Sequence, residues 1–474
     1  MAEPHVLILG GGPAGVGAAY QLRSTGRARV TLLEQQEHLG GNAGSFEWGG
    51  QRLDYGSHRL HPACDPDILA DIKNLLGDDL RDRPRHGRIR LRGRWIRFPL
   101  RPMDLLFRLD PGFAAGVVAD ALRKPMRRQR QGDATFASVL SHSLGSTISR
   151  DFYFPYARKI WGLDPEAISA NQARRRVSAG SFGRLVLKVL RSLPGLGRPG
   201  EGRFYYPRRG FGQITEAFGE AADQLGAVLQ LGWRVVEIHR SMESGSSWRV
   251  VCERGSERRE HSADVIWSSL PISVLARLTR PAPPPEVLQA AGQIRYRAML
   301  LVYLRVPVPR FTEFDAHYFP GADVSITRLS EPKNYSATTS PNGSTVLCAE
   351  LPCDRDDEVW AMDDEQLVKK VAEDLRRVGL PLQAPPEDGM VRRLPFAYPI
   401  YESGYEVPFG TLDRWADTIP NLLTFGRQGL FAHDNTHHAL AMAYAAVDCM
   451  RDGHFDRRRW AGYREVFTSH VVED

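Results

Sequence analysis

The run His5-Val6-Leu7-Ile8-Leu9, followed at once by Gly10-Gly11-Gly12-Pro13-Ala14-Gly15, constrains this chain more than any other feature. A continuous apolar run of this kind suits a strand buried on both faces. Ala14–Leu22 then carries small and apolar residues at helical spacing, and Ala28–Leu33 is strand-like again. Strand, glycine turn, helix and strand open a doubly wound, Rossmann-like α/β fold. In that setting G-x-G-x-x-G has a mechanical meaning: Gly10 permits the tight turn, Gly12 lets a diphosphate reach the backbone, and Gly15 lets helix and strand pack closely. Pro13 and Ala14 begin a helix whose N-terminal N–H groups favour negative charge. Glu34, 19 residues beyond Gly15, closes the second strand, where a carboxylate accepts both hydroxyls of an adenosine ribose. The pattern predicts a bound dinucleotide.

The rest of the composition narrows the class. With 474 residues, 42% hydrophobic and 25% charged, the chain is globular and long enough for two or three lobes. It has no uncharged apolar run of about 18 residues, which excludes a membrane-spanning helix. The start, Met1-Ala2-Glu3-Pro4, shows neither a basic leader nor a cleavage site, so a cytoplasmic location is expected. Cys64, Cys252, Cys348, Cys353 and Cys449 are scattered without CxxC spacing, which suits a reducing compartment. His433 and His437 lie one helical turn apart beside His438, but no third ligand stands at a recognisable spacing, and no metal is expected. The net charge of +6 rests on 62 basic residues, only seven of them lysine, offset by 56 acids, so generic nucleic-acid binding is not expected.

Between Arg83 and Arg97, Arg88, Arg90, Arg92 and Arg94 alternate with Ile89, Leu91 and Gly93, which predicts a β-hairpin with one basic face. That face reads first as solvated surface. An anion funnel is an alternative, as is a peripheral membrane contact through Trp95, Ile96 and Phe98 together with Arg123–Arg130. Residues 103–130 and 134–192 read as mainly helical. Trp233–Ile238, Asp264–Leu270, Met299–Val306 and Asn421–Phe425 read as strands, and Thr436–Met450 as an alanine-rich helix. The expected nucleotide lobe combines residues 1–65, 205–285 and 415–474. A substrate lobe takes 66–204 and 286–414, helical near 100–195 and sheet-like near 295–410.

Leu39-Gly40-Gly41-Asn42, just past the ribose acid, resembles the second glycine element of the FAD-binding superfamily that includes amine oxidases, protoporphyrinogen oxidase and UDP-galactopyranose mutase. The likeness is to the mutase branch in particular. Gly40-Gly41-Asn42-Ala43 has the mutase form, with Asn where amine oxidases usually carry Arg, and Tyr55-Gly56-Ser57-His58 resembles a loop that faces the flavin. Tyr206-Pro207-Arg208-Arg209-Gly210-Phe211-Gly212 resembles an element shared across the superfamily, and Phe425-Gly426-Arg427-Gln428-Gly429 a turn beneath the flavin ring. Asp434 or Asn435 would cap the following helix, whose dipole favours the anion formed on flavin reduction. Val236 completes the expected cofactor contacts. Lys159-Ile160-Trp161-Gly162 with Arg174-Arg175-Arg176 is similar to a helical substrate segment, in which Phe152, Tyr156 and Trp161 would stack on substrate. Tyr398 and Tyr401 resemble substrate-approaching tyrosines.

The resemblance therefore implies an FAD enzyme acting on a sugar, sugar nucleotide or glycosylated intermediate, with NADPH or NADH as an external reductant. His58, Arg175, Tyr398, Tyr401 and His433 are the expected catalytic residues. The alternative is hydride removal from an amine, alcohol or polyisoprenoid, as in the oxidase branch. One departure stands out: Ala432 occupies the place where the mutases carry an Arg that grips a diphosphate, a loss His433 or the basic hairpin would have to offset.

Overall fold

The computed structural model describes residues 3–98, 108, 110–123, 135–176, 202–240, 248–338, 343–451 and 453–472. Its nucleotide side is a parallel sheet in the order Leu422–Thr424, Val265–Ser268, His5–Leu9, Arg29–Leu33, Val228–Gln230. The opening strand shows why it had to be apolar throughout. Val6 and Ile8 face one core, beneath the helices Pro13–Ser24 and Thr436–Asp448, while Leu7 and Leu9 face another that contains Ile238, Trp248 and Leu275. Period two divides a single strand between two cores, and each enclosed side chain contributes roughly 1.5–3 kcal/mol. The two helices meet closely because Gly17 has no side chain; a Cβ there would lie 2.8 Å from Leu440 Cδ2.

The strand foreseen near residues 233–238 spans Arg234–Arg240 and belongs to a different sheet, with Trp248–Arg254 and Glu257–Ala263 antiparallel to it in series. Val236 sits where the pairing slips between Val235 and Glu237. Glu257–Ala263 gives no strand signal in the sequence, because its outer face is charged and solvated.

A second, seven-stranded sheet is ordered Asp388–Ile400, Arg295–Val306, Thr345–Cys353, Arg328–Ser330, Ala316–Tyr318, Gly87–Leu91, Arg94–Phe98. The arginine-rich hairpin is thus an extension of this sheet. It turns through Arg92 and Gly93, both with positive φ (50° and 76°), as a two-residue hairpin requires. Ile89, Leu91 and Ile96 are buried against Phe113 and Ala316, and Phe98 leans on Tyr318. Trp95 lies under the Arg88 guanidinium (4.1 Å) and edge-on to His317 and Phe319. Ile96 is buried, whereas Trp95 and Phe98 remain partly exposed. Residues 124–130 lie outside the described residues. Among those described, no helix is long and apolar enough to cross a membrane.

Helices Pro111–Arg123, Phe136–Leu144, Phe154–Trp161 and Ala170–Arg176 occupy part of the expected helical stretches; 124–134 and 177–192 lie outside the described residues. Lys159 fastens Phe154–Trp161 to the seven-stranded sheet, its Nζ donating to the carbonyls of Phe319 (2.7 Å) and Ile326 (3.0 Å). Burial pushes that ammonium down to about 8.

Candidate functional site

A cavity of about 580 Å³ opens at the carboxyl ends of the parallel strands and runs beneath the rim strand Asp388–Ile400. Ligands of doubly wound sheets bind at such strand ends. At one end the walls are Gly10, Gly12, Pro13, Ala14 and Glu34, joined by Gly41 and Asn42. The glycines divide by what they are for. Gly10 has φ +103°, and a Cβ on Gly15 would lie 1.9 Å from Gly10 O, so the turn itself demands both. Gly12 has φ −74°, which any residue adopts, and a Cβ there meets nothing within 4 Å. Nothing among the described residues requires a glycine at 12, whereas a diphosphate drawn against the backbone would. Gly41 faces it: a Cβ on Gly41 would lie 3.4 Å from Gly12 Cα.

Glu34 is 7% exposed, and its carboxylate accepts the N–H groups of Gly11 (2.7 Å) and Gln36 (2.8 Å). Burial raises its pKa, partly offset by those two backbone donors. An accepting carboxylate at the strand end, helical N–H donors and an open glycine track are the groups an adenine dinucleotide needs, and FAD fits them. Gly40 (φ +116°), Gly426 and Gly429 shape the cavity without lining it: a Cβ would strike Gly44 Cα at 2.4 Å, Ala14 Cβ at 2.7 Å or Ser268 O at 2.9 Å, respectively. Val236 and Gly56 are also outside the lining residues.

Further along, Ser57 and His58 line the wall. The His58 ring stacks on Phe211 (5.2 Å), and its Nε2 meets Tyr55 O at 2.9 Å, so Nε2 carries the proton and Nδ1 is the acceptor. Burial lowers its pKa against the opposing pull of Asp54, which favours the neutral ring. Asp54 in turn accepts from Ser45 Oγ (2.6 Å), Phe211 N (2.8 Å) and the Tyr206 hydroxyl. Facing them, Arg328 and Glu350 form a two-pronged pair (2.9 and 2.8 Å), and Glu350 Oε1 also accepts Ser57 N–H at 2.8 Å. Sequence reasoning missed this pair and Arg392. The two residues stand opposite each other in neighbouring strands 22 positions apart, a register no local motif encodes.

At the far end, Tyr398 lies flat on His433 (5.0 Å, 10°), with the Arg427 guanidinium 5.3 Å from the Tyr398 ring. Tyr156 and Ile160 complete this wall. Tyr401 is elsewhere: it stacks on Tyr405 (4.4 Å), donates to Phe431 O (2.9 Å) and accepts His433 N–H (3.1 Å), so it braces the loop behind the histidine. Trp161 is packed on Phe136 with an edge toward His433, and Phe152 packs on Tyr153 and Tyr156. Arg175 pairs with Asp434 at 2.6 Å above the Tyr401 ring, and Arg174 bonds Asn171 (2.9 Å). The Arg176 side chain lies outside the described residues.

Burial would raise the Asp434 carboxyl, but the His470 hydrogen bond and the charges of Arg175, His438 and His470 hold it below the usual range. Asp434, His438 and His470 place ligand atoms within 4.8 Å of one another, while Asp434 is committed to Arg175 and His438 Nδ1 accepts Asn435 N–H (3.3 Å). That last bond belongs to the capping box of helix Thr436–Asp448, whose first residues, Asn435 and Thr436, line the cavity.

The family model for flavin containing amine oxidoreductase matches residues 13–446. The chain belongs to that family. As a member it is an FAD-dependent flavoenzyme, an oxidoreductase or a mutase. Phytoene dehydrogenase of Streptomyces griseus is 40% identical over 79 residues, 17% of this chain and 15% of that protein, so the match spans a small part of the curated relative. In three dimensions the chain is similar to reduced UDP-galactopyranose mutase, with a TM-score of 0.81 at 20% identity, covering 99% of this chain and 100% of that one. It is also similar to cyclohexylamine oxidase from Brevibacterium oxydans, with a TM-score of 0.65 at 17% identity, covering 95% and 99%. At such identities the likeness is one of fold.

Proposed function

We propose that this flavoenzyme acts on a sugar, a sugar nucleotide or a glycosylated intermediate. The observation that carries the proposal is the chemistry of the cavity beyond the nucleotide track. Its wall offers the stacked Tyr398–His433 pair and Tyr156 as flat faces, beside Thr327, Arg328 and Glu350 as hydrogen-bonding groups. Aromatic faces suit the C–H faces of a pyranose, and the polar groups suit its hydroxyls. A polyisoprenoid would make no use of those polar groups. Full-length similarity of fold to UDP-galactopyranose mutase supports the same reading.

FAD supplies a ring that accepts or returns an electron pair. The chain's own groups position and polarise. Tyr401 holds the 431–433 loop so that His433 stays flat against Tyr398. His58, neutral, presents an acceptor at Nδ1, and the N-terminus of Thr436–Asp448 stabilises negative charge that develops nearby.

Two net reactions fit: ring isomerisation without redox change, sustained by an external NADPH or NADH, and hydride removal. The Arg175–Asp434 pair and Ala432 favour the second, because neither leaves a cation for a substrate diphosphate. The test is anaerobic incubation of purified enzyme with a panel of sugar nucleotides and glycosides, with and without dithionite. An isomer of unchanged mass formed only with dithionite identifies the isomerase; loss of flavin colour on adding sugar identifies the dehydrogenase. Colour loss with simple amines and silence toward every sugar overturns the proposal.

A further inference from the structure

Among the described residues, Arg392 is a cation of the cavity wall with no acidic partner. Arg59 pairs with Asp315 (3.2 Å), Arg328 with Glu350 (2.8 Å) and Arg393 with Asp364 (3.1 Å). Arg392 makes no ion pair and no hydrogen bond among the described residues, and its Nε is buried without a partner. It stands opposite Leu301 in the rim strand. Its neighbours Met390 and Leu394 pack with Phe46, Leu53 and Tyr55, and its guanidinium lies 4.6 Å from the Phe46 ring. The residue is partly buried, and a face-on aromatic ring offsets only part of the cost of that partial desolvation.

The same cavity holds a nucleotide track of complementary character. Its glycine turn offers neutral N–H groups, and a helix N-terminus supplies only about half an elementary charge. Asn42, next to Gly41, adds no charge, and its Nδ2 is committed to Phe396 O (2.9 Å). That bond pins the rim strand to the second glycine element, four residues along from Arg392. We propose that Arg392 is the cation that neutralises the diphosphate of bound FAD, reaching down from the seven-stranded sheet to complete the cradle. The inference rests on FAD as the cofactor.

The test uses apoprotein of the full chain, titrated with FAD, ADP and adenosine by calorimetry and flavin fluorescence. Arg392→Gln is expected to weaken FAD and ADP by about 10–100-fold, as loss of a charge-assisted hydrogen bond implies, and to leave adenosine within about twofold. Arg392→Lys should recover part of the loss. Raising salt from about 50 to 500 mM should weaken FAD binding to the parent more than to Arg392→Gln. Thermal unfolding of both apo variants checks that the fold is kept; if Arg392→Gln does not fold, the affinities of the lysine variant for FAD, ADP and adenosine carry the test. Equal affinity of parent and variant for FAD and ADP overturns the proposal. So does a change confined to the KM of an anionic substrate, which would assign the guanidinium to substrate. Failure of the parent to take up FAD at all would instead overturn the cofactor assignment beneath it.

Discussion

Replacing Gly12 with alanine separates folding from cofactor binding. The backbone there is already in a conformation alanine accepts, and the added methyl enters open space. Gly12 is the N-cap of helix Pro13–Ser24, where exchanging glycine for alanine costs at most about 1 kcal/mol. In a chain of this size that lowers Tm by about 2 °C or less. Binding should suffer far more. A methyl in the track holds a diphosphate away from the N–H groups, and losing two charge-assisted hydrogen bonds at about 1.5–3 kcal/mol each weakens FAD by roughly 10²–10⁴-fold. Gly15→Ala is the contrast, since its Cβ would sit 1.9 Å from Gly10 O and must force the turn apart, lowering both stability and binding. The assays are flavin content from visible absorbance, affinity from fluorescence quenching, and apoprotein Tm. A Gly12→Ala protein that purifies with the parent's flavin content and affinity would refute the assignment of the diphosphate to this turn.

Glu34→Gln keeps the shape but replaces the carboxylate that Gly11 and Gln36 support, so FAD should bind about 10–100-fold more weakly, measured by the same quenching titration. His317 is fully buried, and burial, reinforced by Arg88, pushes its pKa down to about 3. The unfolded chain takes up that proton near pH 6.5 and the folded protein only near 3, so stability should fall as pH drops through this window, by up to roughly 4–5 kcal/mol. His317→Phe should flatten that limb of a pH–Tm curve, and an unchanged slope would refute the assignment. Arg175→Gln leaves the Asp434 carboxylate, 5% exposed, without its cation, and should cost about 2–4 kcal/mol in thermal unfolding of the holoenzyme near neutral pH. A change under about 0.5 kcal/mol would show that His470 alone suffices.

What the chain declared in its own sequence was local. Gly10, Gly12 and Gly15 carry their meaning in their spacing, and the basic hairpin followed from alternation about Gly93. Partners set by sheet register stayed hidden: Arg328 meets Glu350, and Arg392 reaches the cavity, only because long strands pair in one alignment. Asp434 is 259 positions from Arg175, so nothing near the arginine run revealed that this guanidinium is already engaged. Tyr398 and Tyr401 looked equivalent in one short motif. The strand ends at Ile400, and the chain beyond it carries Tyr401 into the interior against Tyr405 while Tyr398 remains on the cavity wall.

The parallel sheet also has a consequence for how the protein comes into being. His5–Leu9 and Arg29–Leu33 leave the ribosome together, yet the other flank of the first strand waits for Val265–Ser268, and the glycine-bearing helix waits for Thr436–Asp448 to cover it. At ordinary elongation speeds roughly 20–80 s of synthesis separate the turn from its last neighbour. Throughout that interval the nascent chain displays an unfinished apolar face. Flavin loading then becomes a late event, one that registers completion of the whole polypeptide.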